Sequence, residues 1–160
     1  MFTKKVLDIL SKVEVFDGLT RDDLKVVSKY CRKTGFQQGD ILLEMGSRPD
    51  ALYVLIKGQL KVFLPEQIKG RKERRGSEVK LNILKAGDCF GEYSIIDKAP
   101  ASASIAATQA GELLKIPEEE FNLIMVNDVI GKRVYYNMLQ ILIKRLREKE
   151  KGLDLVLIAG

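Results

Sequence analysis

The chain has no histidine, and that single absence removes a large part of enzyme chemistry. Without imidazole there is no Ser-His-Asp or Cys-His nucleophile, no histidine metal ligand and no histidine proton shuttle near neutral pH. Cysteine is scarce as well. Cys31 and Cys89 are the only two, too few for the thiolates of an iron–sulfur cluster, and their spacing matches no metal motif. Haem is disfavoured on the same ground, since its usual axial ligands are histidine, cysteine or methionine. The two thiols read as free cysteines of a reducing cytosol. No apolar run approaches the roughly 20 residues that span a bilayer, and no signal peptide is read ahead of the first helix. These absences lead us to expect a cytoplasmic protein with no catalytic residue, no metal and no membrane span.

What is present suits one folded domain. A chain of 160 residues is long enough to bury a core, and its 46% hydrophobic and 31% charged content excludes disorder. The net charge of +5 is concentrated. Residues 66–80 carry Lys69, Arg71, Lys72, Arg74, Arg75 and Lys80 against Glu66, Glu73 and Glu78, so this stretch alone contributes +3. It reads as a solvated hairpin tip, with residues 69–75 open to docking by an acidic protein partner or a nucleic acid. The run lacks interleaved aromatics on which bases would stack, which argues against nucleic acid.

Periodicity divides the chain. Val6, Ile9, Leu10 and Val13 fall at helical spacing and predict an amphipathic helix over residues 3–13. Thr20 then caps a second helix with acids in its first turn. From Thr34 the pattern becomes strand-like and glycine-punctuated. Residues 51–56 are continuously apolar, and Gly58 is expected to turn the chain into a further strand over residues 60–64. Ala86-Gly-Asp88 echoes Gln38-Gly-Asp40, and Gly111-Glu-Leu113 echoes Gly58-Gln-Leu60. Two such halves predict a folded-over antiparallel sheet, a jelly roll or β-roll. Pro117 opens a helix led by Glu118, Glu119 and Glu120. A longer helix is predicted over residues 127–149. There Tyr135, Leu139, Leu142 and Leu146 repeat at 4-3-4 spacing, and Val134, Met138 and Ile141 widen the stripe. The apolar tail after Gly152 is too short to span a membrane.

The chemistry sits in residues 90–107. Phe90-Gly91-Glu92 opens a short turn through Ile95 and Ile96, and after Pro100 the chain leaves on small residues into a strand. A glycine entering a short helix lets backbone N–H groups converge on an anion. Glu92 can accept hydrogen bonds from a pair of sugar hydroxyls. Phe90, Ile95 and Ile96 read as core and turn residues. This arrangement resembles the phosphate-binding cassette of the cyclic-nucleotide-binding domain family, to which catabolite activator proteins and regulatory subunits of cAMP-dependent protein kinase belong. Phe16-Asp-Gly-Leu-Thr20 is similar to the usual start of that domain.

The resemblance implies an α+β fold: a double-stranded β-helix (jelly-roll β-roll) flanked by N-terminal and C-terminal helices. One domain would span residues 1–160, with helices in 1–33, the roll in 34–116 holding the cassette at 90–104, helices in 117–150 and the apolar tail in 151–160. It also implies that Gly91 and Glu92 serve the sugar, and that Ser102 and Ala103 offer hydroxyl and backbone N–H groups to the phosphate. In that family an arginine after the proline grips the cyclic phosphate. Here the residue is Ala101, which can serve only through its backbone. Lys98 offers partial compensation, and Arg71, Arg74 or Arg75 a more remote one.

The expected function is a non-enzymatic regulatory module without a cofactor, its cAMP or cGMP ligand bound weakly or not at all. The alternatives are an interaction scaffold with a vestigial pocket, or a binder of a different small ligand. A cupin-like enzyme fails for want of histidine ligands. The resemblance further implies a homodimer formed through the C-terminal helix. No helix-turn-helix follows that helix, so DNA is not an expected partner.

Overall fold

The computed structural model describes residues 4–67, 72, 74 and 76–159, with side chains through Gly152. Helix α1 (Lys4–Ser11) buries Val6, Leu7 and Leu10, and a 3-10 turn (Glu14–Phe16) buries Val15 and Phe16. Helix α2 (Arg21–Ser28) starts where Thr20 predicts. The Thr20 hydroxyl accepts from the Asp23 N–H at 3.1 Å, and the Asp23 carboxylate accepts from the Thr20 N–H at 3.1 Å. This reciprocal pair satisfies donors that a helix start otherwise leaves open.

Six strands follow among the described residues: β1 (Arg32–Phe36), β2 (Ile41–Leu43), β3 (Ala51–Leu64), β4 (Val79–Leu84), β5 (Cys89–Phe90) and β6 (Ser104–Pro117). They form one antiparallel sheet ordered β1-β6-β3-β4, with β2 also on β6 and β5 also on β3. The sheet folds over without closing. An antiparallel roll with flanking helices is the architecture predicted above, although β1 begins at Arg32, before Thr34. Gly58 corrects a further detail, because it does not turn the chain. β3 runs through it and pairs with β6 from Ala51↔Pro117 to Phe63↔Ser104, with register shifts between Leu55 and Leu60. Gly58 has φ +96°, and a Cβ there would lie 2.7 Å from the Ala110 carbonyl oxygen. The glycine therefore bulges one long strand and bends it, where a hairpin had been expected.

Alternation along the strands divides the core in two. Leu52, Val54, Leu114 and Ile116 face the helices and join Leu10, Val27 and Phe121. Leu55, Leu60 and Leu113 point the other way and fill the roll with Phe36, Leu84, Phe90 and Ile105. Pro117 ends β6 and leads into α4 (Glu118–Met125). Asn127 then caps α5 (Asp128–Ala159), its side-chain oxygen accepting from the Val129 and Ile130 N–H groups at 3.1 Å each.

Helix α5 continues past Lys149, where the sequence pattern ends it, to Ala159. Gly152 is not among the residues of positive φ, and a glycine stops a helix when it turns left-handed. In a right-handed conformation it costs about 1 kcal/mol and the helix proceeds. The stripe on α5 also separates into two faces. Val134 and Met138 are buried against the core, whereas Tyr135, Leu139, Leu142 and Leu146 are exposed. Asn137 fastens the helix from its buried side, donating to the carbonyls of Val15 at 2.9 Å and Asp17 at 2.8 Å. Of the basic run, Lys69, Arg71 and Arg75 lie outside the described residues, as do the side chains of residues 153–160. Arg74 bridges to Gln67 across the hairpin.

Candidate functional site

Gly91, Glu92, Ala101, Ser102 and Ala103, far from equivalent in the chain, line one cavity of about 920 Å³. That is ample for a small molecule. Gly91 precedes helix α3 (Glu92–Asp97) with φ +87°, and a Cβ at this position would collide with the Ala51 carbonyl oxygen of β3. The position demands glycine twice over, for the left-handed backbone and for the close approach. Glu92 opens α3 and is buried. Burial pushes its carboxyl above the usual range, while its own backbone N–H and the Arg145 guanidinium draw it back down.

Two expectations for the cassette need correcting. Ala101 was left only its backbone to offer, and that backbone is already engaged. Its N–H donates to the Ser47 carbonyl at 2.7 Å, and its carbonyl accepts from the Gly46 N–H at 2.9 Å. These bonds stitch the cassette to the β2–β3 connection and spend the Ala101 N–H, the backbone donor a phosphate would need. Ile96 was read as a turn residue, yet it lines the cavity, whereas Phe90, read as core, packs inside the roll and lines the cavity as well. Ile95 does pack into the core. Ser102 is exposed and Ala103 half-buried, both at the cavity wall.

Lys98 does not stand in for the missing arginine. It ends α3 in a left-handed conformation, φ +59°, and its ammonium pairs with Glu118 at the start of α4. Glu118 also accepts from Arg48 at 2.8 and 3.1 Å. The Lys98 hydrogen bond and the Arg48 charge hold the Glu118 carboxyl below its ordinary range.

The sequence reading missed Arg145. This residue of α5 lines the cavity, stands 4.0 Å from the Glu92 carboxylate, and donates to the Tyr93 hydroxyl with its guanidinium 5.4 Å from the Tyr93 ring centre. Met138 and Leu142 line the same cavity from the same helix. Their spacing held the clue. Positions 138, 142 and 145 share one helical face, and an arginine closing an apolar face marks a cation turned towards the protein.

The comparisons with known proteins agree with this geometry. Residues 33–128 match the family model described as cyclic nucleotide-binding domain. The cyclic AMP receptor protein of Thermus thermophilus is 30% identical over 142 residues, covering 89% of this chain and 61% of that protein. A cGMP-dependent protein kinase of Caenorhabditis briggsae, egl-4, is 33% identical over 118 residues, covering 73% of this chain and 15% of the kinase. The chain thus spans less than two thirds of the length of these relatives. Among solved structures, the Thermus thermophilus catabolite activator protein superposes with a TM-score of 0.75 at 27% identity, covering 89% of this chain and 62% of that one. A cyclic nucleotide-binding domain from Methylobacillus flagellatus shares the fold with a TM-score of 0.75 at 23% identity, covering 93% and 80%. Roll, cassette and matched sequence all lead to the same conclusion: the chain belongs to the cyclic nucleotide-binding domain family.

Proposed function

We propose that this protein is a non-enzymatic, cytoplasmic regulatory module whose cavity binds cAMP or cGMP weakly or not at all, and which works as a homodimer through α5. The observation that carries the proposal is Ala101. Gly91, Glu92, Ser102 and Ala103 line the cavity, which supports the reading, and position 101 carries no guanidinium to meet a phosphate. A charge-assisted hydrogen bond contributes about 1.5–3 kcal/mol, and a bidentate arginine–phosphate grip makes two. Losing both weakens binding by roughly two to four powers of ten. A ligand in the cavity touches the cassette on one side and Met138, Leu142 and Arg145 of α5 on the other. Occupancy is thereby read by the helix that the dimer presents.

Calorimetry with cAMP and cGMP on the natural chain and on Ala101→Arg tests the proposal. Position 101 is half-buried at the cavity wall, so an arginine there has room to enter. We expect the substitution to tighten binding by about tenfold to a thousandfold, the two bonds less the ordering entropy of the new side chain. A sub-micromolar Kd for the natural chain sinks the proposal. A folded Ala101→Arg variant with no gain means that the site has diverged beyond that one residue.

A further inference from the structure

The cation of the cavity lining, and the two beside the cassette, are matched by carboxylates among the described residues. Arg145 faces Glu92. Lys98 and Arg48 converge on Glu118, and Arg48 follows Ser47, the residue that binds Ala101. The charged residues of the lining are Glu92, Asp97 and Arg145, one positive against two negative. The rest of the wall is largely apolar, including Val62, Leu84, Phe90, Ile105 and Met138. A buried anion without a counter-charge is heavily penalised; Ser102 and Ala103 offer it neutral donors, but the lining cation it would need, Arg145, would have to be taken from Glu92. A cation would compete with Arg145 for the same carboxylate. An uncharged guest meets neither cost. It gains from the apolar wall and can donate a hydrogen bond to the lone pairs of Glu92 that Arg145, at 4.0 Å, leaves open.

We infer that the cavity is a site for an uncharged small molecule with an apolar body and a hydrogen-bond donor for Glu92, and not for a phosphate-bearing one. The inference rests on the reading of this cavity as a ligand site, and it departs from the charge of the ligands that reading starts from.

Two fluorescent probes of one skeleton test it: phenylnaphthylamine, which is neutral, and its sulfonate, anilinonaphthalene sulfonate, which adds one negative charge. Both present an amine N–H. Each is titrated against the natural chain, Ala101→Arg and Ala101→Gln. The natural chain should prefer the neutral probe by at least about tenfold. Ala101→Arg should cut that preference by about tenfold or more, and Ala101→Gln, polar but uncharged, should not. The exposed stripe of α5 also attracts such probes, but a probe seated at its Leu146 end, outside the cavity lining, would not respond to a charge at position 101. Equal or tighter binding of the sulfonate to the natural chain overturns the inference. So does a preference that Arg and Gln leave alike, or a cavity that takes neither probe. The calorimetry with cAMP reads the parent proposal separately, so failure of the probes leaves weak cyclic-nucleotide binding to be judged on its own result.

Discussion

Asn137 is the point at which the seating of α5 can be tested with a number. Its side chain is buried, and its amide donates to the carbonyls of Val15 and Asp17 in the turn beneath the helix. The two acceptors differ. Val15 is 1% exposed, so its carbonyl loses the Asn137 donor with no water to replace it, a cost of about 1–3 kcal/mol. Asp17 is exposed and can turn to solvent, which limits that loss to roughly 0.5–1 kcal/mol. Asn137→Ala should therefore destabilise the fold by about 1.5–4 kcal/mol in all. For a chain of this length that corresponds to a fall in Tm of roughly 3–16 °C. Asn137→Asp should cost more, because a carboxylate oxygen would face two carbonyl oxygens with nothing to donate. The measurement is guanidinium unfolding at fixed protein concentration, since a dimer's stability depends on it. If Asn137→Ala lies within about 0.5 kcal/mol of the natural chain, the amide does not hold the helix and the reasoning fails.

The remaining predictions concern the outer face of α5 and the two thiols. Tyr135, Leu139, Leu142 and Leu146 are each 41–56% exposed at coiled-coil spacing, and Leu146 stands outside the cavity lining. Leu146→Glu should cost about 2 kcal/mol in each protomer and raise the dimer dissociation constant roughly a thousandfold. Sedimentation equilibrium reads this, and a natural chain that is monomeric at tens of micromolar refutes the pairing. Burial pushes the Cys31 thiol up to about 12 from an ordinary 9.0, and burial together with Glu92 pushes Cys89 well up. Only the thiolate attacks, so a raised pKa keeps the inert thiol to higher pH. At about pH 8 Cys31 of the folded chain should label roughly a thousandfold more slowly than in denaturant, with the rate rising about tenfold per pH unit. A Cys31 that labels rapidly in the folded chain at that pH contradicts the buried placement.

What could be read in the sequence was what is contiguous in it. The cassette is one unbroken run, so its glycine, carboxylate and proline, and the missing arginine, were all visible at once. The roll was visible because strand alternation and glycine spacing are local signals. Gly58 was misread because a hairpin turn and a bulge both call for positive φ, and only the partner strand distinguishes them. The end of α5 was misread because Gly152 carries no mark of whether it turns left-handed. Ala101's spent backbone and the Lys98–Glu118–Arg48 cluster depend on pairings between distant segments. No window of the chain contains both partners of any of them.

The cavity and the proposed dimer contact meet on α5. Tyr135, Leu139 and Leu142 line the cavity and also belong to the exposed stripe of α5. A guest in the cavity and a second protomer on the stripe would therefore touch the same side chains. Two binding events that share residues are coupled, and the coupling is reciprocal: whatever factor a ligand contributes to dimer affinity, dimerisation returns to ligand affinity. Asn137 holds the helix to the turn beneath it, and Arg145 ties it to Glu92 at the cavity. A ligand that left the dimer constant unchanged would have to bind without disturbing α5, and a cavity walled on one side by that helix gives it little room to do so.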